Sequence, residues 1–105
     1  MKRTDKLKTE ISRAVSNAIS QTFDISESGV FTIRNMDVLS DYQEVRVWIS
    51  RIGGAPDFFE RLEKAKNRVK HITFADIKLV RMPQLIFIED FTGEYAQHME
   101  EVIRG

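Results

Sequence analysis

The chain has 105 residues and no cysteine, and this absence removes several functional classes at once. Disulfide bonds, thiolate zinc sites and cysteine nucleophiles all need the thiol, so the sequence excludes each of them. A chain of this composition is compatible with the reducing cytoplasm, where we expect the protein to act.

Long hydrophobic runs are equally absent. The longest uninterrupted one covers residues 85–88, whereas a membrane-spanning helix needs ~20 apolar residues. The N-terminus enters a charged amphipathic segment directly, so we expect neither a signal peptide nor a membrane partner. With 42% hydrophobic residues the chain can still bury a core, and its length predicts a single domain over residues 1–105.

Signatures of catalysis are scarce. None of the five glycines has the spacing of a phosphate-binding loop. His71 and His98 are far apart in the sequence and lack a partner at metal-ligand spacing. Glu89 and Asp90 are adjacent at the end of a predicted strand, and adjacent residues of a strand point to opposite faces. We therefore expect no enzymatic activity, no cofactor, no metal and no small-molecule substrate.

What the chain does have is a polarised charge distribution behind a formal net charge of zero. Residues 1–13 contain five basic and two acidic residues, and residues 61–81 contain seven basic and two acidic ones. From residue 89 onward, five acidic residues outweigh a single arginine. Such a distribution favours attraction of a polyanion to one part of the surface.

Periodicity predicts a helix followed by a hairpin in the first half of the chain. Apolar residues at helical spacing predict a helix over residues 4–23. Residues 30–39 have the β-branched and aromatic composition of a strand, with a phase shift that predicts a bulge near Asn35. A turn at Ser40 and Asp41 should lead into a second strand, residues 45–50, whose alternate residues face the core.

The second half is predicted to contain two helices around a third strand. Pro56 and Asp57 mark the start of a helix whose apolar stripe runs to Ile72. Residues 77–88 read as a long strand interrupted by Pro83, and residues 94–104 as a closing helix. The order α-β-β-α-β-α predicts an α+β fold with helices on one face of a three-stranded sheet.

Basic residues frame the apolar stripe of the second long helix and lie on the polar side of the first. Lysine and arginine can neutralise phosphates, which makes a nucleic acid the polyanion that we expect. The candidate RNA-binding residues are Lys2, Lys6, Arg13, Lys64, Lys66, Asn67, Arg68 and Lys70. The alternative is that these long side chains only extend around a buried stripe. Trp48 could stack on a base, but packing against a sheet neighbour is favoured.

Several segments, taken in their order, resemble the ribosome-binding factor A family. They are Arg3 with Leu7 and Ile11, the turn at Ser40 and Asp41, residues 45–50, and residues 83–87 followed by Asp90. The resemblance implies a KH-like fold in its type II order. It also implies that the protein binds the immature small ribosomal subunit and its rRNA and supports late maturation and rRNA processing. Such work by differential binding needs no cofactor. We expect a monomer, because the sizeable apolar surfaces are required by one core of sheet and helices.

The family's helix kink also has a counterpart. The family typically has an Ala-x-Gly kink where other KH domains have a Gly-x-x-Gly loop, and Ala65-Lys66-Asn67 resembles it. The resemblance thus places a kink at Ala65 and Asn67, with Asn67 at the glycine position. The chain departs from the family at residues 25–28, where an Asp-Pro-Arg signature is expected, and it lacks a long basic C-terminal tail.

Two other functions remain open at this point. One is a general KH-like RNA-binding protein outside ribosome assembly. The other is a protein-interaction module whose hairpin edge recruits a strand from a partner.

Overall fold

A computed structural model describes residues 3–39 and 42–91 of the chain. Lys2, the turn predicted at Ser40 and Asp41, and the closing helix predicted over residues 94–104 lie outside the described residues. The elements are α1 (Arg3–Thr22), α2 (Ile25–Ser28), β1 (Val30–Val38), β2 (Glu44–Ile52), α3 (Phe58–Lys64), α4 (Lys66–Phe74) and β3 (Gln84–Glu89).

The first helix, α1, is amphipathic and supplies one layer of the core. Ile11, Val15 and Ile19 are fully buried, as their helical spacing requires. The helix packs against α4 and β1. The four-residue helix α2 follows, and there the amide of Asp24 donates a hydrogen bond to Glu27 Oε1 at 3.2 Å. None of the helices in the described part of the chain is long and apolar enough to cross a membrane.

The three strands form one mixed sheet in the order β1-β2-β3. Strands β1 and β2 are antiparallel, whereas β2 and β3 are parallel because α3 and α4 form the crossover between them. Val45, Val47 and Ile49 are fully buried, while Arg46 is exposed on the other face. The predicted alternation in β2 is therefore confirmed, and the α+β fold with helices packed on the sheet is the one observed.

A bulge interrupts the pairing of β1 with β2. The register passes from Ile33 opposite Ile49 to Asn35 opposite Trp48, so Arg34 is the extra residue on β1. The bulge predicted near Asn35 is therefore confirmed. The side chain of Arg34 is exposed at this point of the strand.

The third strand is shorter than predicted. It covers Gln84–Glu89, and residues 77–83 form no regular element. Pro83 marks the boundary, because it has no amide hydrogen for a ladder and is found at an edge, at the first residue of a strand or at a bulge. Here it is buried immediately before β3, and the amide of Gln84 makes the first bond, to the carbonyl of Gln43 at 3.0 Å.

The loop between β2 and α3 is fastened to α2. The amide of Ala55 donates to the Glu27 carbonyl at 2.8 Å, and the Arg51 guanidinium donates to the carbonyls of Gly53 and Ala55 at 2.8 and 2.7 Å. The same guanidinium lies 5.1 Å from the centre of the buried Phe58 ring. These contacts fix where α3 begins relative to the sheet.

Candidate nucleic-acid interface

The helical crossover between β2 and β3 is broken at Ala65. This residue has φ −93° and ψ 7°, in the bridge region between helix and strand, and it separates α3 from α4. Its amide still donates to the Arg61 carbonyl, and its carbonyl accepts from the Val69 amide, both at 3.0 Å. The regular helix is therefore interrupted at Ala65 with these two hydrogen bonds retained.

The unusual conformation belongs to Ala65 and not to Asn67. Asn67 lies within the first turn of α4. Among the described residues other than glycine, a positive φ occurs at Tyr42, with 54°, and not at Asn67. Asn67, which the resemblance places at the glycine position of a kink, therefore lies within a regular helix, and the interruption is at Ala65.

Cationic side chains surround this break on its outer side. Lys64 and Arg68 are exposed, and Lys70 is half-buried. Leu62 and Val69, which are fully buried, hold the opposite side of the two helices against the core. Lys66 is half-buried and pairs with Glu63, its Nζ lying 3.2 Å from Oε2.

Three of these cations are not paired with a carboxylate of the described residues. Within the described residues, Lys64, Arg68 and Lys70 form no ion pair. With the exposed amide of Asn67 between them, they present positive charge and hydrogen-bond donors along one stretch of helix. We call these four residues the α3–α4 cationic surface. Its chemistry is that of phosphate recognition.

Arg61 shows the contrasting case of a cation used within the fold. Its guanidinium lies 3.0 Å from Asp57 Oδ1 and 3.0 Å from Glu27 Oε2. The hydrogen bond with Asp57, and then that with Glu27, raises the pKa of Arg61 above its ordinary value, so it stays protonated. Arg61 therefore joins α3 to α2 and is not part of the cationic surface.

The predicted residues on α1 are separate from this surface. Lys6 and Arg13 are both exposed, away from the buried stripe of α1. Lys6 lies in a concavity shared with Asp76 and Lys78, whereas Arg13 lies beside β1. The sequence-predicted residues thus form two groups, one on α3 and α4 and one along α1.

Two cations were missed by sequence reasoning. Lys8 and Arg34 share with Arg13 a groove of about 700 Å³ between α1 and β1. We call it the α1–β1 groove; its lining residues are Lys8, Thr9, Ser12, Arg13, Ser16, Asn17, Phe31, Thr32, Ile33, Arg34, Asn35 and Met36. The sequence did contain an indication for Arg34, because a bulge was predicted near Asn35 and a bulge reorients a neighbouring side chain.

Trp48 lies on the middle strand of the sheet, β2. It is half-buried on the sheet face opposite Val47, and its register partners are Asn35 on β1 and Ile88 on β3. In the part of the chain that the structure describes, no group of three or more histidine, aspartate or glutamate residues is arranged to hold a metal ion.

Strand order, a parallel β2–β3 pair and a broken helical crossover together define an α+β protein of the KH-like class in its type II order. A family model described as ribosome-binding factor A matches residues 3–103, and the chain belongs to the ribosome-binding factor A family. The ribosome-binding factor A of Carboxydothermus hydrogenoformans is 29% identical over 98 residues, which are 90% of this chain and 78% of that protein.

Solved structures share the fold. The crystal structure of ribosome-binding factor A from Thermus thermophilus matches with a TM-score of 0.70 at 18% identity, covering 81% of this chain and 92% of that one. A homology model of the T. thermophilus protein, fitted into a cryo-EM map of a 30S–RbfA complex, matches with a TM-score of 0.69 at 18% identity and the same coverage.

Proposed function

We propose that this protein binds the immature small ribosomal subunit through its rRNA and supports the late steps of maturation, including rRNA processing. The observation that carries the proposal is the α3–α4 cationic surface, where Lys64, Arg68 and Lys70 have no counterion among the described residues. Family membership and the fit of a relative into a map of a 30S–RbfA complex support the choice of partner.

The protein acts by binding alone. Lysine and arginine side chains displace counterions from phosphates, which makes the affinity depend strongly on salt. A protein that binds one rRNA conformation better than another shifts the population toward it, by no more than the difference in binding free energy. The protein works as a cytoplasmic monomer without a cofactor and leaves before translation.

A paired set of charge reversals tests the binding surface. Lys64→Glu with Arg68→Glu changes two exposed residues of the cationic surface, while Lys78→Glu with Arg81→Glu changes two exposed residues of the loop before β3. Both variants change the net charge equally. Binding to purified small-subunit precursors is measured by sedimentation at ~50 and ~200 mM salt, a range over which phosphate contacts strongly affect affinity. Circular dichroism checks the folding of each variant.

The first variant should bind more weakly, and the slope of its log affinity against log salt should fall by about 2, roughly one per phosphate contact. The control should follow the unmodified protein. Equal losses in both variants would mean that only net charge matters. Unchanged binding by a folded Lys64→Glu, Arg68→Glu variant would remove this surface from the proposal.

Depletion of the protein tests the assembly role. Loss should accumulate small subunits that contain precursor rRNA, most strongly in the cold, because misfolded RNA escapes from its traps more slowly at low temperature. Sucrose gradients and mapping of rRNA ends at two temperatures provide the measurement. Normal subunit ratios with fully processed ends at both temperatures would favour a general RNA-binding role, and nuclease-resistant protein partners would favour the interaction module.

A further inference from the structure

The α1–β1 groove runs along an open edge of the sheet. In the described residues β1 pairs with β2 on one side only, so its other edge carries unpaired backbone groups. The groove is lined by the consecutive residues 31–36, so it follows the strand instead of crossing it. Six strand residues span ~20 Å at about 3.3 Å per residue. The groove is therefore an open concavity that follows the strand over a length that an extended chain can contact.

All the charges that line the groove are positive. Lys8 and Arg13 come from α1 and Arg34 from the bulge of β1, and the lining contains no aspartate or glutamate. None of these three cations forms an ion pair within the described residues. Because they stand on both walls, a ligand in the groove meets positive charge from two sides. This arrangement favours an anionic ligand.

The remaining lining supplies hydrogen-bonding groups and one aromatic face. Ser12 and Ser16 are half-buried, and their hydroxyl groups have no hydrogen-bond partner in the described part of the chain. Thr22, by contrast, bonds back to the Ala18 carbonyl at 2.7 Å, as hydroxyls in helices commonly do. Phe31 is half-buried and lines the same groove. Its ring can stack on a base.

We propose that the α1–β1 groove binds a single-stranded segment of RNA, with phosphates at Lys8, Arg13 and Arg34 and a base against Phe31. This contact is additional to the α3–α4 cationic surface. It rests on the proposed function, because the segment is then an unpaired stretch of small-subunit rRNA. A recruited protein strand fits less well, since strand addition takes its specificity from pockets for alternate side chains. Ile33 and Met36 pack in the core, and Phe31 packs against it while remaining half-buried. The groove therefore offers mainly cations and hydroxyl groups to a ligand.

The test uses the full chain and an oligouridylate of about ten nucleotides, a length within the range that single-strand sites bind. A duplex RNA of the same length and a polyglutamate peptide are further probes. Amide shifts of the 15N-labelled protein locate the binding site. Fluorescence anisotropy at ~50 and ~200 mM salt gives the affinities. The groove variant is Lys8→Gln with Arg34→Gln, and its matched control is Lys78→Gln with Arg81→Gln.

We expect oligouridylate to shift the amides of residues 12–17 and 31–36. Each phosphate contact to a single strand contributes about 0.7 to the salt slope, so losing two lowers it by ~1.4. Between ~50 and ~200 mM salt, the affinity of the unmodified protein should then fall ~7-fold more than that of the groove variant. The control should keep the original slope.

Other outcomes overturn the proposal in different ways. Shifts confined to α3 and α4, with an unchanged groove variant, would refute the groove while leaving the proposed function intact. Preference for the polyglutamate peptide would assign the groove to a protein partner, and preference for the duplex would refute the single-strand contact. Absence of binding to all RNA probes and to small-subunit precursors would refute the groove and the proposed function together.

Discussion

Val47→Ala is the sharpest test of the core that positions both cationic regions. Val47 is fully buried at the centre of the middle strand, with Met36 as its register partner on β1 and Phe87 on β3. The substitution removes two methyl groups, each worth about 0.8 kcal/mol of transfer free energy. The cavity that remains adds to this, and a loss of about 2–3 kcal/mol in the free energy of unfolding is expected.

This loss is a substantial part of the ~5–15 kcal/mol that stabilises a domain of this size. It should lower the melting temperature by roughly 4–8 °C per kcal/mol. Urea unfolding followed by circular dichroism measures it, and the slope m should stay unchanged because the folded structure is retained. Arg46→Ala is the control, since the neighbouring side chain is exposed and its ion pair with Glu44 lies at the surface.

If Val47→Ala and Arg46→Ala unfold at the same urea concentration, the assignment of Val47 to the buried face of β2 and of Arg46 to its exposed face is contradicted. A stronger form of the same test is Val47→Asp, which buries a carboxylate without a partner and should leave the chain unfolded. If Val47→Asp unfolds at the original urea concentration, the core described here is incorrect.

Three further predictions concern the loops and the broken helix, and urea unfolding measures each. Gly29 has φ 67° and ψ −169°, and an added Cβ would clash with the Gly53 carbonyl oxygen, so Gly29→Ala should cost more than about 2 kcal/mol. Gly53→Ala, with φ 74° but open space, should cost less, and equal costs would contradict the close approach. Arg51→Met should cost about 2–3 kcal/mol through two lost charged hydrogen bonds, and an unchanged midpoint would show that these bonds are dispensable. Asn67→Ala should stabilise α4 by up to ~0.7 kcal/mol, because alanine has the higher helix propensity. A destabilised variant would mean that the Asn67 side chain stabilises the interruption between α3 and α4.

The alternating and helical faces of this protein could be predicted from sequence because they follow local rules. Val45, Val47 and Ile49 repeat every second residue, and the structure buries all three. The phase shift at Asn35 could be read in the same way, because a bulge moves the following residues to the other face.

The start of the third strand could not be predicted in this way. Residues 77–80 have the apolar composition of a strand, but pairing with β2 begins only at Gln84, opposite Glu44. Where pairing starts depends on how α4 returns the chain to the sheet, and this is a tertiary effect that overrides local propensity. The exposed side chain of Val80 shows that no sheet neighbour covers that segment.

The α1–β1 groove also could not be predicted from the sequence. Lys8 and Arg34 lie on different elements, and only the packing of α1 against β1 brings them to one cavity. The α3–α4 cationic surface could be anticipated because its members follow one another along a single helical stretch. The interruption of the helix at Ala65, by contrast, could be located only from the backbone dihedral angles of the structure.

The parallel pairing of β2 with β3 has a consequence for the order in which the protein folds. The hairpin of β1 and β2 joins neighbouring segments, whereas Glu44 meets Gln84 only after the whole crossover of α3 and α4 has been traversed. Closing this long loop costs entropy before the pairing returns any free energy, so β3 should join the sheet late. During synthesis on the ribosome, β2 therefore has an unpaired inner edge until Glu89 has emerged. A strand from another nascent chain could pair with that edge in the interval.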